Sequence, residues 1–310
     1  MTVSVRETGL RDGLQMVATI LPTETKIAWC RAQAASGFAE MEVTSFVPPS
    51  ILPQYADASD VLAAANAVGG LLASVLVPNL KGAMRAMDRG ARKINFVLSA
   101  SESHNRSNVR KSTEDSLADL REILAERETR GQTHSTAIGC GLATSFGCSF
   151  EGAVPVSRVA SLAAQIAEAG VDEVNLADTV GYATPLQVRE IIAAVRGETG
   201  DTPLAAHFHD TRGLGLANVV AAAEAGIRRF DASLGGLGGC PFAPGATGNI
   251  ATEDAVYLLE SLGLPTGIDL GALLAVRTQL DGWMQGERLE GRLSKAGPAK
   301  SFQRALGETR

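Results

Sequence analysis

The feature that most constrains the fold of this chain is a regular alternation of short apolar runs with segments of helical period. Apolar runs with period 2 predict strands, and apolar residues spaced three and four apart predict helices. The strands are predicted at 3–6, 39–43, 71–77, 92–98, 133–139, 173–176, 204–208 and 229–232. The helices are predicted at 23–36, 58–68, 80–89, 113–130, 155–169, 185–197, 215–225 and 252–261. Eight strands alternating with eight helices predict an α/β protein, a (β/α)8 or TIM barrel.

Glycine stands just past several predicted helices, where its tolerance of a positive φ makes it a common terminator. These positions are Gly37, Gly90, Gly131, Gly170, Gly226 and Gly263. A doubly wound sheet is the alternative fold, but no Gly-x-Gly-x-x-Gly follows the first predicted strand. We divide the chain into a catalytic barrel, residues 1–268, and a C-terminal extension, residues 269–310, helical at first and then irregular. We expect this extension to pack on or near the barrel mouth.

Charge and cysteine content exclude several classes of protein. The 310 residues carry 28 Lys and Arg against 34 Asp and Glu, so no overall attraction to nucleic acid or an anionic membrane is expected. The N-terminus lacks the basic and apolar regions of a signal peptide. Four cysteines without a Cys-x-x-Cys pair do not predict a disulfide framework. We therefore expect a cytoplasmic protein that has neither nucleic acid nor a membrane as partner.

Polar residues follow the predicted strands, where the active site of a (β/α)8 barrel lies. His207 and His209 stand two apart at the end of the seventh strand, so period 2 places both on one face. With Asp12 after the first strand they offer one carboxylate and two imidazoles, a set that suits Mg, Mn, Fe, Co or Zn. Asn249 could add an amide oxygen, or could instead cap the helix that begins near Ala251.

Three charged residues at other strand ends are further candidates. Arg11 could hold a carbonyl or enolate oxygen with its planar guanidinium, or could form a salt bridge to Glu42 or Asp178. Glu42 could hold Arg11 or a metal-bound water in place. Asp178 could act in the site or could only cap the turn after its strand.

A loop rich in glycine, residues 235–249, follows the eighth predicted strand. Such a segment does not pack a core, so it is either a phosphate cradle or a mobile lid. Cys240 at its centre could serve as an acid or a base near the substrate. Cys140 is expected at the end of the fifth strand.

Seven ordered motifs span most of the chain. They are GLRDGLQ (9–15), TSFV (44–47), PNLKG (78–82), DTVG (178–181), HFHDT (207–211), GLGGCPF (236–242) and GNIATED (248–254). Together they resemble the hydroxymethylglutaryl-CoA lyase family, and the resemblance runs from about residue 3 to residue 280. That family is similar to a larger metal-dependent barrel group that includes isopropylmalate and homocitrate synthases.

The resemblance implies a retro-Claisen cleavage of 3-hydroxy-3-methylglutaryl-CoA that depends on Mg²⁺ or Mn²⁺. It implies metal ligands at Asp12, His207, His209 and Asn249. It implies catalytic roles for Arg11, which would stabilise the enolate, and for Glu42, Asp178, His207 and Cys240. We assign substrate binding to Arg11, Gln15, Asn108, Gly238 and Gly239. The expected partner is an acyl-CoA, the family suggests a homodimer, and the CoA phosphates are expected to meet basic groups such as Lys81, Arg106, Arg110 or Lys295.

Because the sequence departs from the family pattern at several positions, more than one acyl-CoA is a candidate substrate. Met16-Val17 stands where the family often has Asn-Glu, and Phe150 and Phe242 stand in place of tyrosines. The substrate could therefore be citramalyl-CoA or a longer 3-substituted glutaryl-CoA. A condensing synthase is a further alternative, which the cysteine-containing loop and the lack of a large regulatory domain after residue 280 disfavour. A binding module without catalysis would require the loss of site residues, and none of the matched ligands is missing.

Overall fold

The computed structural model describes residues 2–239 and 248–305, and it confirms the (β/α)8 barrel. Eight parallel strands close in sequence order, and the last pair places Ser4 of the first strand opposite Arg229 of the eighth. The strands are β1 Ser4–Glu7, β2 Glu40–Ser45, β3 Leu72–Val77, β4 Lys93–Ser99, β5 Ala137–Ala143, β6 Glu173–Asp178, β7 Leu204–Phe208 and β8 Arg229–Ala232.

Eleven α-helices lie in the described part of the chain. They are α1 Thr23–Ala35, α2 Ala58–Asn66, α3 Leu80–Asp88, α4 Glu102–Val109, α5 Thr113–Thr129, α6 Val156–Glu168, α7 Pro185–Thr199, α8 Gly215–Glu224, α9 Thr252–Ser261, α10 Leu270–Trp283 and α11 Leu293–Ala296. Each of the six glycines predicted to follow a helix has a positive φ, which confirms those helix ends. Within the described residues, no helix is long and apolar enough to cross a membrane.

In the barrel, two elements differ most from the sequence prediction, and in the extension the short helix α11 lies where irregular structure was expected. β5 lies four residues later than predicted because Gly139 and Gly141, a residue type depleted in strands, stand inside it. Cys140 is therefore buried in the middle of β5 and does not end the strand. The short helix α4 was not predicted from its polar sequence, and it begins after Ser101, whose hydroxyl accepts a hydrogen bond from the N–H of His104 at 3.1 Å.

The apolar core lies between strands and helices, whereas charged side chains meet inside the barrel. Arg6 of β1 donates to Asp231 of β8 at 2.6 Å and to Glu173 of β6. Lys93 of β4 donates to Glu173 at 3.2 Å and to Glu40 of β2 at 2.7 Å. Branched apolar side chains usually fill a barrel of this kind. Here ion pairs take their place, and removing one partner would leave a buried charge at a cost of about 3–5 kcal/mol.

A π-helical turn, Gly9–Gly13, follows β1 and carries Arg11 and Asp12. Glu7 fixes this turn, because its carboxylate accepts hydrogen bonds from the N–H of Gly9 at 2.6 Å and of Leu234 at 2.9 Å. The hydroxyl of Thr252 donates to the other oxygen at 2.7 Å. One buried carboxylate thus joins β1 to the segments on both sides of the glycine-rich loop. Burial raises the pKa of Glu7 to about 7, although these hydrogen bonds act in the opposite direction.

The raised pKa of Glu7 predicts a pH-dependent stability. Folded Glu7 keeps its proton up to about pH 7, whereas the unfolded chain loses it near pH 4.5. The contribution of this group to stability is present below the lower pKa and is lost as the pH rises through the higher one. We expect the free energy of unfolding of the wild type, relative to Glu7→Gln, to fall by roughly 1–3 kcal/mol between about pH 5 and pH 8. Urea unfolding measures this, and a difference constant with pH would contradict it.

Candidate active site

Arg11 and Asp12 form an ion pair where the π-helical turn meets the barrel mouth. The Arg11 guanidinium donates to Asp12 Oδ1 at 2.6 Å and, from Nε, to Glu42 of β2. Asn95 of β4 donates to the second oxygen of Glu42 at 2.7 Å. The salt bridge considered for Arg11 is therefore with Glu42. Among the described residues no hydrogen-bond partner is recorded for Nη2 of Arg11, so that edge can meet an oxygen of a substrate.

The two histidines at the end of β7 face the same carboxylate, as period 2 predicts. Their ring centroids are 5.1 Å apart, and Nε2 of each ring lies 3.9 Å from Asp12 Oδ2. One ligand atom each from Asp12, His207 and His209 lies within 4.8 Å of the others. These three residues therefore form a possible metal site.

Asn249 lies beside this group on the segment before α9. An antiparallel bridge pairs it with His209, and its side-chain nitrogen donates to Asp12 Oδ2 at 2.6 Å and to the carbonyl of Leu237 at 2.9 Å. The helix begins after Ala251 without a side-chain cap, so the alternative interpretation of Asn249 as a helix cap is wrong. Its Oδ1 is buried and has no hydrogen-bond partner in the described part of the chain. A metal ion would satisfy such an oxygen, so the donor set fits a divalent cation.

Asp231 of β8 stands behind His207, and the sequence analysis missed it. Its Oδ2 lies 3.3 Å from His207 Nδ1 and accepts from Asn175 at 2.5 Å, while Oδ1 accepts from Arg6 at 2.6 Å. Burial acts to raise the pKa of Asp231, but Arg6 and His207 outweigh it and hold that pKa well below its usual value. Because an ionised carboxylate only accepts, His207 donates from Nδ1 and presents Nε2 towards Asp12. No sequence signal singled it out, because Arg229 in the same four-residue strand is charged as well.

The electrostatics favour the metal-binding states of Asp12 and His209, whereas burial acts to lower the pKa of His207 but Asp231 and Asp12 outweigh it and raise that pKa. Burial acts to raise the pKa of Asp12, but Arg11 and the two histidines outweigh it and lower that pKa. Burial, helped by the nearby His207, lowers the pKa of His209 to about 4. At neutral pH Asp12 is therefore ionised and His209 is neutral, as metal coordination requires.

Asp178 ends β6 and caps the turn that follows. Its Oδ1 accepts from the N–H of Tyr182 at 2.7 Å and of Ala183 at 3.2 Å. Its Oδ2 is buried and no hydrogen-bond partner is recorded for it in the described ranges. Burial raises the pKa of Asp178 to about 6, with the two backbone hydrogen bonds opposing the rise. Asp178 therefore caps the turn through Oδ1, as the alternative interpretation predicts. Its Oδ2 takes no part in that cap.

A cavity of about 750 Å³ runs from the barrel mouth into the polar interior. The metal-site residues and Arg11 line it, together with the predicted substrate-binding residues Gln15, Asn108 and Gly239. Gly238 packs behind the metal group, because a Cβ there would lie 2.4 Å from Asn249 Nδ2 and 3.3 Å from Asp12 Oδ2. Cys240 lies outside the described residues, so the structure does not place it.

Comparison with known proteins identifies the family. Residues 2–280 match the family model described as HMGL-like. The chain belongs to the HMGL-like family. It is an enzyme of the carbon–carbon lyase class, since its relatives are named lyases. One relative is the hydroxymethylglutaryl-CoA lyase YngG of Bacillus subtilis, 39% identical over 97% of this chain and 96% of that protein. Another is the (R)-citramalyl-CoA lyase of Chloroflexus aurantiacus, 38% identical over 96% of this chain and 95% of that protein.

A solved structure agrees with this family assignment. The HMG-CoA lyase of Acinetobacter baumannii, in complex with coenzyme A and 3-methylmalate, superposes with a TM-score of 0.91. The two chains are 42% identical, and the match covers 97% of each. The HMGL-like fold therefore extends over nearly the whole of this chain.

Removal of one imidazole tests the possible metal site of this HMGL-like enzyme. We expect His209→Ala to raise the dissociation constant for Mn²⁺ by at least about 100-fold, since altering a group behind a ligand already costs about 10- to 100-fold. Electron paramagnetic resonance of free Mn²⁺ measures this without substrate. His104→Asn is the matched control, because His104 is also buried in the cavity wall, with Nδ1 2.7 Å from Ser99 Oγ. Equal affinity in both variants would contradict the assignment of His209.

Proposed function

We propose that this enzyme cleaves 3-hydroxy-3-methylglutaryl-CoA to acetyl-CoA and acetoacetate with Mg²⁺ or Mn²⁺ as cofactor. One observation carries the proposal: Asp12, His207 and His209 converge beside the Arg11 guanidinium in a cavity large enough for an acyl group. The names of the relatives support the reaction, and the mixed oxygen and nitrogen donors support a divalent cation.

The metal ion would be held by Asp12, His207, His209 and Asn249. When bound, it would act as a Lewis acid that lowers the pKa of the C3 hydroxyl and polarises a carbonyl oxygen of the substrate. Asp231 keeps the imidazole of His207 in one orientation for this purpose. Glu42 and Asn95 do the same for Arg11, because together they fix the guanidinium from one side.

Cleavage begins when a base takes the proton of the C3 hydroxyl. The C2–C3 bond then breaks, its electron pair forms the enolate of acetyl-CoA at C2, and C3 becomes the ketone of acetoacetate. Arg11 donates to the thioester oxygen, where negative charge develops as the enolate forms. A proton returned to C2 completes the reaction.

Three groups are candidates for carrying protons in this reaction: Asp178, His207 and Cys240. Asp178 has a raised pKa and a buried carboxylate oxygen that accepts no hydrogen bond from a described residue. It is not part of the cavity wall, which Asn175, Ala177 and Thr179 of the same segment line, so it would act only through another group. His207 lies beside the reacting centre as a proposed ligand. Cys240 enters only from the sequence, as the cysteine of the glycine-rich loop.

The decisive experiment measures acetyl-CoA release from a panel of thioesters. The panel contains 3-hydroxy-3-methylglutaryl-CoA, citramalyl-CoA and longer 3-substituted glutaryl-CoA analogues, each with Mg²⁺, Mn²⁺ or a chelator. We expect the first substrate to have the highest kcat/KM and every activity to stop with the chelator. Activity that survives the chelator would overturn the metal role, and no cleavage of any thioester would overturn the lyase proposal in favour of a condensing synthase.

A second candidate function is cleavage of citramalyl-CoA or a longer analogue. Met16, 41% exposed, lines the cavity mouth with Ile51, 66% exposed, where the family often has a polar residue at position 16. The similarity to a citramalyl-CoA lyase also favours this candidate. If it is correct, an analogue is the best substrate of the wild type, and the double variant Met16→Asn, Val17→Glu shifts the preference towards 3-hydroxy-3-methylglutaryl-CoA.

Arg110 is the group that we propose for the CoA phosphates. It follows α4, lines the cavity and has a φ of 59°, which is uncommon for a residue other than glycine. No carboxylate of the described residues pairs with it, whereas neighbouring Lys111 and Arg106 are paired with Asp119 and Glu102. Of the basic groups considered from sequence, Arg110 alone lines this cavity within the described residues.

Replacement of Arg110 should weaken binding without slowing the chemistry. We expect Arg110→Ala to raise KM for the CoA thioester about 5- to 10-fold, equivalent to about 1–1.4 kcal/mol, while kcat stays within about twofold. The corresponding pantetheine thioester, which lacks the nucleotide phosphates, should show no change in KM. Arg106→Ala is the matched control, with no expected effect. A KM that rises equally for both thioesters would refute a phosphate contact.

Assembly and compartment follow only from the family and the composition. We propose a homodimer in the cytoplasm, with an acyl-CoA as the partner in catalysis. Analytical ultracentrifugation of the purified chain tests the dimer.

A further inference from the structure

The C-terminal extension contacts the turn from which the glycine-rich loop begins. The segment concerned, residues 290–293, is called the strap here. The N–H of Glu290 donates to the carbonyl of Gly235 at 2.7 Å, and Gly235 belongs to the 3₁₀ turn Leu234–Gly236 after β8. The N–H groups of Arg292 and Leu293 donate to Asp254 in the first turn of α9, both at 2.7 Å. The strap therefore joins two elements of the barrel mouth.

A buried carboxylate lies between the strap and the turn. Glu253, fully buried, accepts from the N–H of Gly235 at 3.0 Å and from Nε of Arg277 in α10 at 3.2 Å. Gly291 of the strap presses on the same carboxylate, since a Cβ at that position would lie 2.4 Å from Glu253 Oε1. Gly291 also has a φ of 96°, so both its backbone and its surroundings require glycine.

The turn is packed in the same way against the proposed metal ligands. A Cβ on Gly236 would lie 3.0 Å from Cβ of Glu290 on one side and 3.2 Å from the carbonyl of Asn249 on the other. A Cβ on Gly248 would lie 2.3 Å from the carbonyl of Gly236. Gly238, two residues further, leaves no room beside Asn249 and Asp12. Close contacts therefore connect the strap, through the turn, to the residues of the proposed metal site.

We propose that the strap is a positioning element of the metal site, which sets the place of Asn249 and Gly238 against Asp12. This rests on the proposed function, because that function makes Asp12 and Asn249 metal ligands. It also gives the extension, residues 269–310, a role at the barrel mouth.

The contacts of the strap do more than anchor the C-terminal extension to the barrel. α10 already packs on the barrel, where Trp283 lies 6.4 Å from Trp29 of α1 by ring centroids. Arg277 of the same helix reaches Glu253 directly. The strap adds contacts to the turn and to the start of α9. The turn leads to Gly238, which packs on Asn249 and Asp12, and the proposed ligand Asn249 lies just before α9.

Two glycine substitutions separate positioning from general strain. Gly291→Ala adds a Cβ at positive φ against Glu253. Gly286→Ala adds a Cβ at a similar φ, 93°, with no described atom within 4 Å, so it is the matched control. Both variants should lose some thermal stability, because an L-residue is strained at positive φ. We expect only Gly291→Ala to raise the Mn²⁺ dissociation constant, by about 10-fold, with Gly286→Ala within about twofold of wild type.

Hydrogen exchange gives a readout that needs neither metal nor substrate. Measured by mass spectrometry, amides of residues 234–238 and 248–251 should exchange about 10-fold faster or more in Gly291→Ala than in Gly286→Ala, with the strands unchanged.

If the two variants behave alike in exchange and in metal affinity, the strap is only an anchor. If exchange responds but the wild type binds no Mn²⁺, the metal role proposed above fails and the strap still positions the turn. Should Gly291→Ala not fold, Asp254→Asn weakens the strap without changing the number of non-hydrogen atoms, because one of the two accepting oxygens becomes a donor. Unchanged exchange in that variant would overturn the proposal.

Discussion

The interior of this barrel depends on the compensation of buried charge. Its ion-paired network contains three cations, Arg6, Arg11 and Lys93, and five carboxylates, Asp12, Glu40, Glu42, Glu173 and Asp231. Arg229 adds only a half-exposed guanidinium, bound to Glu173 from the solvent side. With Arg229 counted, five carboxylates meet four permanent cations. Either a cation beside Asp12 or protonation of His207, whose pKa burial acts to lower but Asp231 and Asp12 raise, offsets the remaining charge.

The buried charge is compensated differently at the two ends of the barrel interior. Near the start of the strands, Arg6, Lys93 and their partners satisfy one another, so that region can be rigid without a ligand. At the mouth, Asn249 Oδ1 and His209 Nδ1 are buried and lack a recorded partner in the described residues. Asn175 Oδ1, beside Asp231, is a further buried oxygen without a partner among the described residues, so these unsatisfied polar atoms lie around the two histidines. Such atoms are typical of functional sites.

The fold and the metal group were readable from sequence because each rests on a local period. Alternating runs give the barrel, and His207 and His209 share a face because a strand has period 2. Asp231 escaped notice because a polar residue that points into a barrel looks, in sequence, like one that faces solvent. β5 was misplaced because inward glycines weaken a strand signal. The strap had no sequence signal at all, since a contact between Gly235 and Glu290 depends on tertiary packing alone.

The polarity along the cavity suits the acyl-CoA that is proposed as substrate. At the mouth the wall is apolar, formed by Met16, Val47, Pro48, Ile51 and Leu52, and further inside it is charged. The charged acyl end belongs in the polar part, yet a substrate carboxylate would meet a network that is already negative. In the proposed function, Arg11 and the divalent cation offset that charge. Under the proposed function, the affinity for substrate therefore depends on whether a cation occupies the Asp12, His207 and His209 group.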